Sequence, residues 1–303
     1  MSLLTIFSAP KPFVDPKIDL IQRNAIGSWR RLADVEVLLM GSEAGVADAA
    51  RGSGATHVGD VATNDRGTPL ISSMVHAARE HGEGELLCII NPDMVLMDDF
   101  VEAALRVKDL GPEFVLLSRR WDLGIDERLA FENDWQERLR VKVRRSGSLH
   151  RPAGSDFFVF PRGCYAQIPD FAVGRAGWDN WMIYQARRQE WPVVDATPEL
   201  MIVHQNHDYS HLPDGRPHYT APETEENVRL AGGVSAIRYT ILDATHILQD
   251  GRVVRPRFSS ARFMRKTELF LRRIFRFLPA DRLESIARPK RWKKRVLRLV
   301  GKR

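Results

Sequence analysis

The sequence predicts an α/β protein: a Rossmann-like, mostly parallel sheet flanked by helices, followed by a basic amphipathic helical tail. Three observations predict it. Over residues 1–121, apolar runs alternate with helix-spaced segments five times, the pattern of a parallel sheet covered by helices. Each run ends on polar, Gly or Pro residues, and ligands in such sheets bind beyond the carboxyl ends of the strands. Charge is also divided along the chain. Residues 255–303 carry 18 Lys/Arg against 3 Asp/Glu, a local +15, which leaves −9 for residues 1–254 of the total +6.

Each element has its own signal. LLTIFSA (3–9) is a short apolar run that stops at small residues and Pro, as a buried strand does. Ile18, Ile21, Ala25, Trp29 and Leu32 recur at helical spacing over 15–32. VEVLLMG (35–41) is the second strand, and SEAGVADAARGSG a short helix with a Gly-rich stop. THVGDVATN is a third, weaker strand. TPLISSMVHAAREHG (68–82) begins Thr-Pro and ends in Gly, helix start and stop signals. ELLCII is the fourth strand. DDFVEAALRVKDLG is a helix with Asp98 or Asp99 to cap it, and EFVLLSRRW (113–121) is the fifth strand. Beyond 122 the alternation stops. SDFFVFPRG (155–163) reads as a strand, GWDNWMIYQARRQEW (177–191) as a helix, and VVDATPELMIVHQNHDYSH as one or two strands ending in His and Asp. These assignments divide the chain into 1–122, 123–254 and a tail, 255–303.

Composition narrows the function. An apolar content of 44% and 28% charged residues suit a water-soluble fold with a large core. Cys88 and Cys164 are the only cysteines, too few for a Cys-rich zinc site or a disulfide framework, so a reducing, cytoplasmic location is expected. The start has no secretory pattern, and no window is apolar enough to span a bilayer. The acidic body argues against a nucleic-acid groove. No P-loop, dinucleotide fingerprint, nucleophile elbow or H-E-x-x-H is present.

Five constellations carry chemistry. Asp93 follows a strand that reads as buried on both faces, with Asn91 two residues before it. Oxygen ligands so placed can hold a divalent ion, and a turn is the structural alternative. With Asp98 and Asp99 available as helix caps, Asp93 is spare. IVHQNHDYSH places His204 and His207 three apart, beside Asp208 and His211, where imidazoles can ligate a metal or meet phosphate. In GWDNW, Asp179 opens a helix between Trp178 and Trp181. A carboxylate base beside aromatic faces suits sugar chemistry, and a cap with two core tryptophans is the alternative. Asp156 in GSDFFVF precedes a buried strand and could bind an acceptor hydroxyl. Arg119 and Arg120 end a strand and could clamp a diphosphate.

In this order, FSAPKPF, NDRGTPLISSM, IINPDMVLMDDF, SRRWDL, GSDFFVFPRG, GWDNWMIYQAR and VHQNHDYSH resemble the GT-A fold glycosyltransferases, the nucleotide-diphospho-sugar transferase superfamily. The resemblance covers about residues 1–250. It implies a nucleotide-binding half (1–122), an acceptor-binding half (123–254), and Mn²⁺ or Mg²⁺ as cofactor. It implies transfer of a sugar from a nucleotide-diphosphate donor to a glycan or lipid-linked acceptor. The family's Asp-x-Asp motif falls on Asn91 and Asp93, a departure at its first carboxylate. A late His ligand matches His204 or His207, and the base of inverting members matches Asp179. The loop after the first strand, Ser8, Ala9 and Lys11, implies contacts to the nucleotide, with Asn64 and Asp65 also on the donor side. Trp178, Trp181 and Asp156 fall to the acceptor. Two alternatives stand: a sugar-1-phosphate nucleotidyltransferase, disfavoured by the absence of a Gly-rich basic loop after the first strand, and a catalytically degenerate membrane-associated scaffold, kept open by Asn91.

In the tail, RFMRKTELFLRRIFRFL puts Phe263, Met264, Phe270, Leu271, Ile274, Phe275 and Leu278 on one side of a helix. Arg262, Arg265, Lys266, Arg272, Arg273 and Arg276 lie on the other. After Pro279, RPKRWKKRVLRLVGKR repeats the pattern with Trp292, Val296, Leu299 and Val300. Such a helix is expected to lie on an anionic membrane surface; packing on the body and a nucleic-acid arm, in which the phenylalanines would be wasted, are the alternatives.

Overall fold

The computed structural model describes residues 2–207 and 221–274. The chain divides into two compact units at Arg255/Pro256. Asp208 and His211 of the His/Asp cluster lie outside the described residues, as does the tail beyond Ile274.

In the first unit the expected alternation is present. β1 (Leu4–Ser8), α1 (Pro16–Trp29), β2 (Val35–Met40), α2 (Val46–Ser53), β3 (Thr56–Val58), α3 (Ile71–His81) and β4 (Leu86–Ile90) follow one another. Local chemistry accounts for their ends. Asp15 caps α1 by accepting from the Lys17 and Ile18 amides at 2.9 Å, with Pro16 at the first helical position. α2 lies between Gly45 and Gly54, both left-handed, with φ of +86° and +73°. α3 begins at Ile71, later than Thr-Pro suggested, because Pro69 pairs with Thr63 in a bridge.

After β4 come β5 (Met94–Val95), α4 (Asp99–Lys108), β6 (Val115–Leu117), β7 (Arg120–Leu123), α5 (Trp135–Ser146), β8 (Ser148–Leu149) and β9 (Phe157–Pro161). Then follow α6 (Trp178–Arg188), β10 (Val193–Asp195), β11 (Ile202–Gln205), α7 (Pro222–Leu230), β12 (His246–Gln249) and β13 (Arg252–Val254). Nine strands form one sheet in the order β13-β12-β10-β6-β9-β4-β1-β2-β3. Only β9 and β13 run antiparallel to their neighbours. The α/β class and the mostly parallel sheet agree with expectation.

One reading is corrected. The single strand expected over 113–121 is two, β6 and β7, in different sheets, because the run apolar on both faces lasts only through Leu117. The charged stretch after 122 contains α5, whose Trp135, Leu139 and Val143, four apart, bury one stripe.

A second sheet, in the order β5-β11-β7-β8, sits where the chain leaves the first. Three times the chain runs off the carboxyl end of a large-sheet strand and pairs again at once: β4 into β5, β6 into β7, β10 into β11. That repeated step carries residues from distant parts of the sequence to one edge. Each sheet has its own apolar cluster, the smaller gathering Val95, Leu123, Trp135, Leu139, Val143 and Val203.

Candidate active site

The residues that gather at this edge are held by backbone register. β11 pairs with β5 antiparallel, His204 opposite Met94, and with β7 in parallel, His204 opposite Asp122. Asp93 immediately precedes β5 and His207 follows β11. The Nε2 atom of His207 lies 3.1 Å, and that of His204 3.6 Å, from Asp93 Oδ2. Asp93, His204 and His207 each offer one ligand atom, all within 4.8 Å of one another, so they form a group able to hold a cation. Asp93 Oδ1 is buried without a hydrogen-bond partner. Such an atom costs stability unless something satisfies it. A carboxylate with two imidazoles suits a divalent transition ion.

The electrostatics agree. Burial alone pushes the Asp93 carboxyl upward, but the two imidazoles overcome it and hold it well below the usual carboxylate range. Burial pushes His204 down, and the Asp93 charge more than reverses this. Gln205, missed from sequence, fastens the arrangement. Its buried amide donates to the carbonyls of Ile21 and Asp93 and accepts from Asn24, which ties the Asp93 loop to α1.

Asn91 has a structural explanation for being an amide. Continuing the β4–β9 register, it faces Asp156. Its backbone amide donates to the Asp156 carbonyl at 2.8 Å, and its side chain donates to Asp156 Oδ1 at 3.0 Å. A carboxylate at 91 would set two negative charges at that distance. Asn91→Asp is therefore expected to lower stability by about 1–3 kcal/mol, and adding Asp156→Asn should recover part of it. Thermal unfolding at neutral pH measures both; a single variant as stable as the parent would remove the explanation.

Asp179 is half-buried in the first turn of α6, whose cap is Gly177 at φ +111°. Its carboxylate accepts from the Ser155 amide at 3.4 Å and lies against the Gly177 and Asn180 amides. Burial raises its pKa most, Asp156 adds to this, and the amides only partly offset it. A raised carboxyl is what proton abstraction near neutral pH needs. Asp156 acts electrostatically on both Asp179 and His204.

Several expected roles meet occupied groups. Trp178 and Trp181 are 4% and 6% exposed and pack edge-on against Phe158 and Phe171. They are core residues, and their faces are covered against any sugar. The Arg120 guanidinium is committed to Asp122, at 2.9 Å, and to Asp156. That of Arg119 donates to the carbonyls of His150 and Leu149. Neither is a loose diphosphate clamp. The buried Ser8 hydroxyl donates to the Ile90 carbonyl, joining β1 to β4, and Ala9 beside it is partly buried. The Asn64 side chain closes its own loop by accepting from the Arg66 and Thr68 amides, and it donates to Glu223. Asp65 is exposed in that loop. Nor do Asp98 or Asp99 cap α4: Asp98 makes no cap bond, and Asp99 accepts from Arg140 and the Met201 amide. Asp93 is nonetheless spare, since its carboxylate faces the imidazoles.

Lys11 does reach the site. Gln22 clasps its backbone from both sides, and its ammonium is close enough to Asp93 to feel that charge. Burial depresses its pKa, and Asp93 partly restores it. The Arg175 charge also lowers the Lys11 pKa, and Arg175 is itself bound to Glu223 at 2.6 Å. Nothing in the sequence singled out Arg175 or Glu223.

Solved structures similar to this chain include glucosyl-3-phosphoglycerate synthase from Mycobacterium tuberculosis, 13% identical over 78% of this chain and 81% of that one, with a TM-score of 0.46. The same synthase with Mg²⁺ and uridine diphosphate is 14% identical, over 77% and 80%, with a TM-score of 0.45. A mannosyltransferase from Pyrobaculum calidifontis with GDP-Man and Mn²⁺ is 16% identical, over 67% and 56%, with a TM-score of 0.38. No protein-family model and no curated protein matches. Likeness of this extent leaves the functional reading to the chain's own residues.

Proposed function

We propose that the chain is a glycosyltransferase that moves a sugar from a nucleotide-diphosphate donor to a glycan or lipid-linked acceptor, with inversion. One observation carries this: Asp93, His204 and His207 converge at the carboxyl edge of a mostly parallel sheet. They are the residues that would hold Mn²⁺ or Mg²⁺. Bound there, the ion would supply Lewis-acid neutralisation of the leaving diphosphate. Lys11 adds positive charge on the same side, in the role first expected of Arg119 and Arg120. Asp179 takes the proton of the acceptor hydroxyl as its oxygen bonds to the anomeric carbon. The bond from that carbon to the diphosphate oxygen breaks, and the nucleoside diphosphate leaves with the electron pair. Asp156 and Asn91 hold the wall between the donor and acceptor sides.

The test is a screen of nucleotide-diphosphate sugars for release of nucleoside diphosphate, with and without Mn²⁺. Metal-dependent turnover of one donor is expected. If no donor turns over, and no nucleoside diphosphate raises the unfolding midpoint in Mn²⁺, the scaffold alternative replaces this reading.

The same proposal places the protein on the cytoplasmic face of an anionic membrane. Both cysteines are free and buried, consistent with a reducing compartment. Among the described residues, no helix is long and apolar enough to cross a membrane. In the second unit, Phe263, Phe270 and Ile274 of α8 (Ser260–Ile274) are 57%, 61% and 52% exposed. Arg265 and Glu268, on the opposite side of the helix, are paired at 3.4 Å. Exposed aromatic residues on a strongly basic segment suit a lipid interface. Removing residues 259–303 is expected to abolish co-sedimentation with vesicles containing phosphatidylserine. Unchanged co-sedimentation would count against the assignment.

A further inference from the structure

Beyond the three ligand candidates, a row of side chains crosses the small sheet and ends at His204. Parallel pairing of β7 with β11 sets Asp122 directly beside His204. The His204 ring lies between two carboxylates: Nε2 is 3.6 Å from Asp93 Oδ2, and Nδ1 is 3.1 Å from Asp122 Oδ1. The Nδ1 contact is close but not aligned as a hydrogen bond, and Nδ1 is buried with no other partner. Among the described residues, the carboxylate set against this buried imidazole nitrogen is that of Asp122. Asp122 in turn is fixed from two sides. His150, just past β8, approaches its Oδ2 with Nδ1 at 2.7 Å. Arg120 donates from Nε to Oδ1 at 2.9 Å and is itself bound to Asp156.

We propose that Asp122, braced by His150 and Arg120, is a positioning residue that holds the His204 proton on Nδ1 and so turns the Nε2 lone pair toward Asp93 and the cation. The inference rests on the cation site proposed above. A neutral imidazole ligates through one nitrogen only when its proton is kept on the other, and a carboxylate on the protonated nitrogen fixes both tautomer and ring angle. Without Asp122 the ring could carry its proton on either nitrogen. In the Nε2–H form it would donate to Asp93 and offer no ligand. His150 acts one step further out: it keeps the Asp122 carboxylate from swinging toward solvent.

Two measurements test this on the full chain. The first is calorimetric titration of Mn²⁺ into the parent protein, Asp122→Ala, Asp122→Asn and His150→Ala. Asp122→Ala is expected to weaken binding by about 10- to 100-fold. Asp122→Asn, which keeps an acceptor oxygen, should lose less, and His150→Ala least. The second is the ¹H–¹⁵N pattern of the His204 ring in the metal-free protein, recorded at a pH above its raised titration, where the ring carries one proton and the pattern reports which nitrogen holds it. The parent is expected to show Nδ1–H, and Asp122→Ala a mixture or Nε2–H. A purely structural role for Asp122 would move the unfolding midpoint and leave the tautomer alone. Parent-like Mn²⁺ affinity in all three variants, or retained Nδ1–H in Asp122→Ala, would overturn the proposal. If Asp122→Ala does not fold, Asp122→Asn and His150→Ala decide by the same readouts. If the parent binds no Mn²⁺, the cation site is refuted, and the tautomer still decides the orienting role of Asp122.

Discussion

Asp93→Ala is expected to abolish saturable Mn²⁺ binding and, with it, metal-dependent donor turnover. Asp93 supplies the only carboxylate among the three ligand candidates; its Oδ2 lies 3.6 and 3.1 Å from the Nε2 atoms of His204 and His207, and its Oδ1 is buried without a hydrogen-bond partner. Removing an outer partner of a ligand already costs about 10- to 100-fold in affinity, so loss of the anionic ligand itself should exceed the upper figure. The same change removes the charge that lifts His204 and Lys11. Both buried groups then lose the Asp93 charge, so an altered unfolding midpoint should accompany the loss of binding. Calorimetric titration with Mn²⁺ measures the first effect and thermal unfolding the second. An Asp93→Ala protein that still binds Mn²⁺ as the parent does would remove the cation site from this edge.

Asp179→Asn is expected to cut transfer by about 10²- to 10⁴-fold, the range that general-base catalysis supplies. Folding should survive, because an amide still accepts from the Ser155 backbone. The pH profile follows from the direction of the shift. Burial, then the charge of Asp156, raises the Asp179 carboxyl, so its acid form persists to higher pH than in an ordinary Asp. A base works only when deprotonated. The acid limb of kcat/KM should therefore lie above the usual carboxylate range, and activity should fall as pH drops through it. Asp156→Asn removes one of the raising charges and should move that limb to lower pH. Full transfer in Asp179→Asn, or an acid limb at the ordinary carboxylate value, would exclude Asp179 as the base.

Much of this site was legible in the chain, in a particular way. Asp93, His204 and His207 were singled out because polar residues that follow buried strands face the carboxyl edge of a sheet. The structure places those three together. Asp179 was legible as a carboxylate in a helix's first turn. What the sequence misjudged were groups whose partners lie far along the chain. The Ser8 hydroxyl is bound 82 residues away and Asn64 159 residues away, while Arg120 is bound 36 residues away at Asp156. Trp178 and Trp181 misled for a related reason. At a helix start, an aromatic pair looks the same whether its faces meet a sugar or Phe158 and Phe171. Asp122 stood in a quoted motif without a role, and His150 gave no signal at all. Their meaning comes from the pairing of β7 with β8 and β11.

By itself the sequence determined the α/β class, the order of strands and helices through β4, the polar carboxyl edge and the basic charge of the tail. Those follow from local periodicity, caps and composition, which act within a few residues. The tertiary structure alone decided that the chain steps from one sheet into a second at β5, β7 and β11. It therefore also decided which carboxylates stand beside which imidazoles. The physical reason is register. A strand's own residues set which side chains share a face, but the partner strand sets which of them touch, and that choice is made by burial and hydrogen bonding across the whole fold. Asn91 shows both halves: its place after a buried strand was written locally, and its amide is explained only by Asp156 opposite.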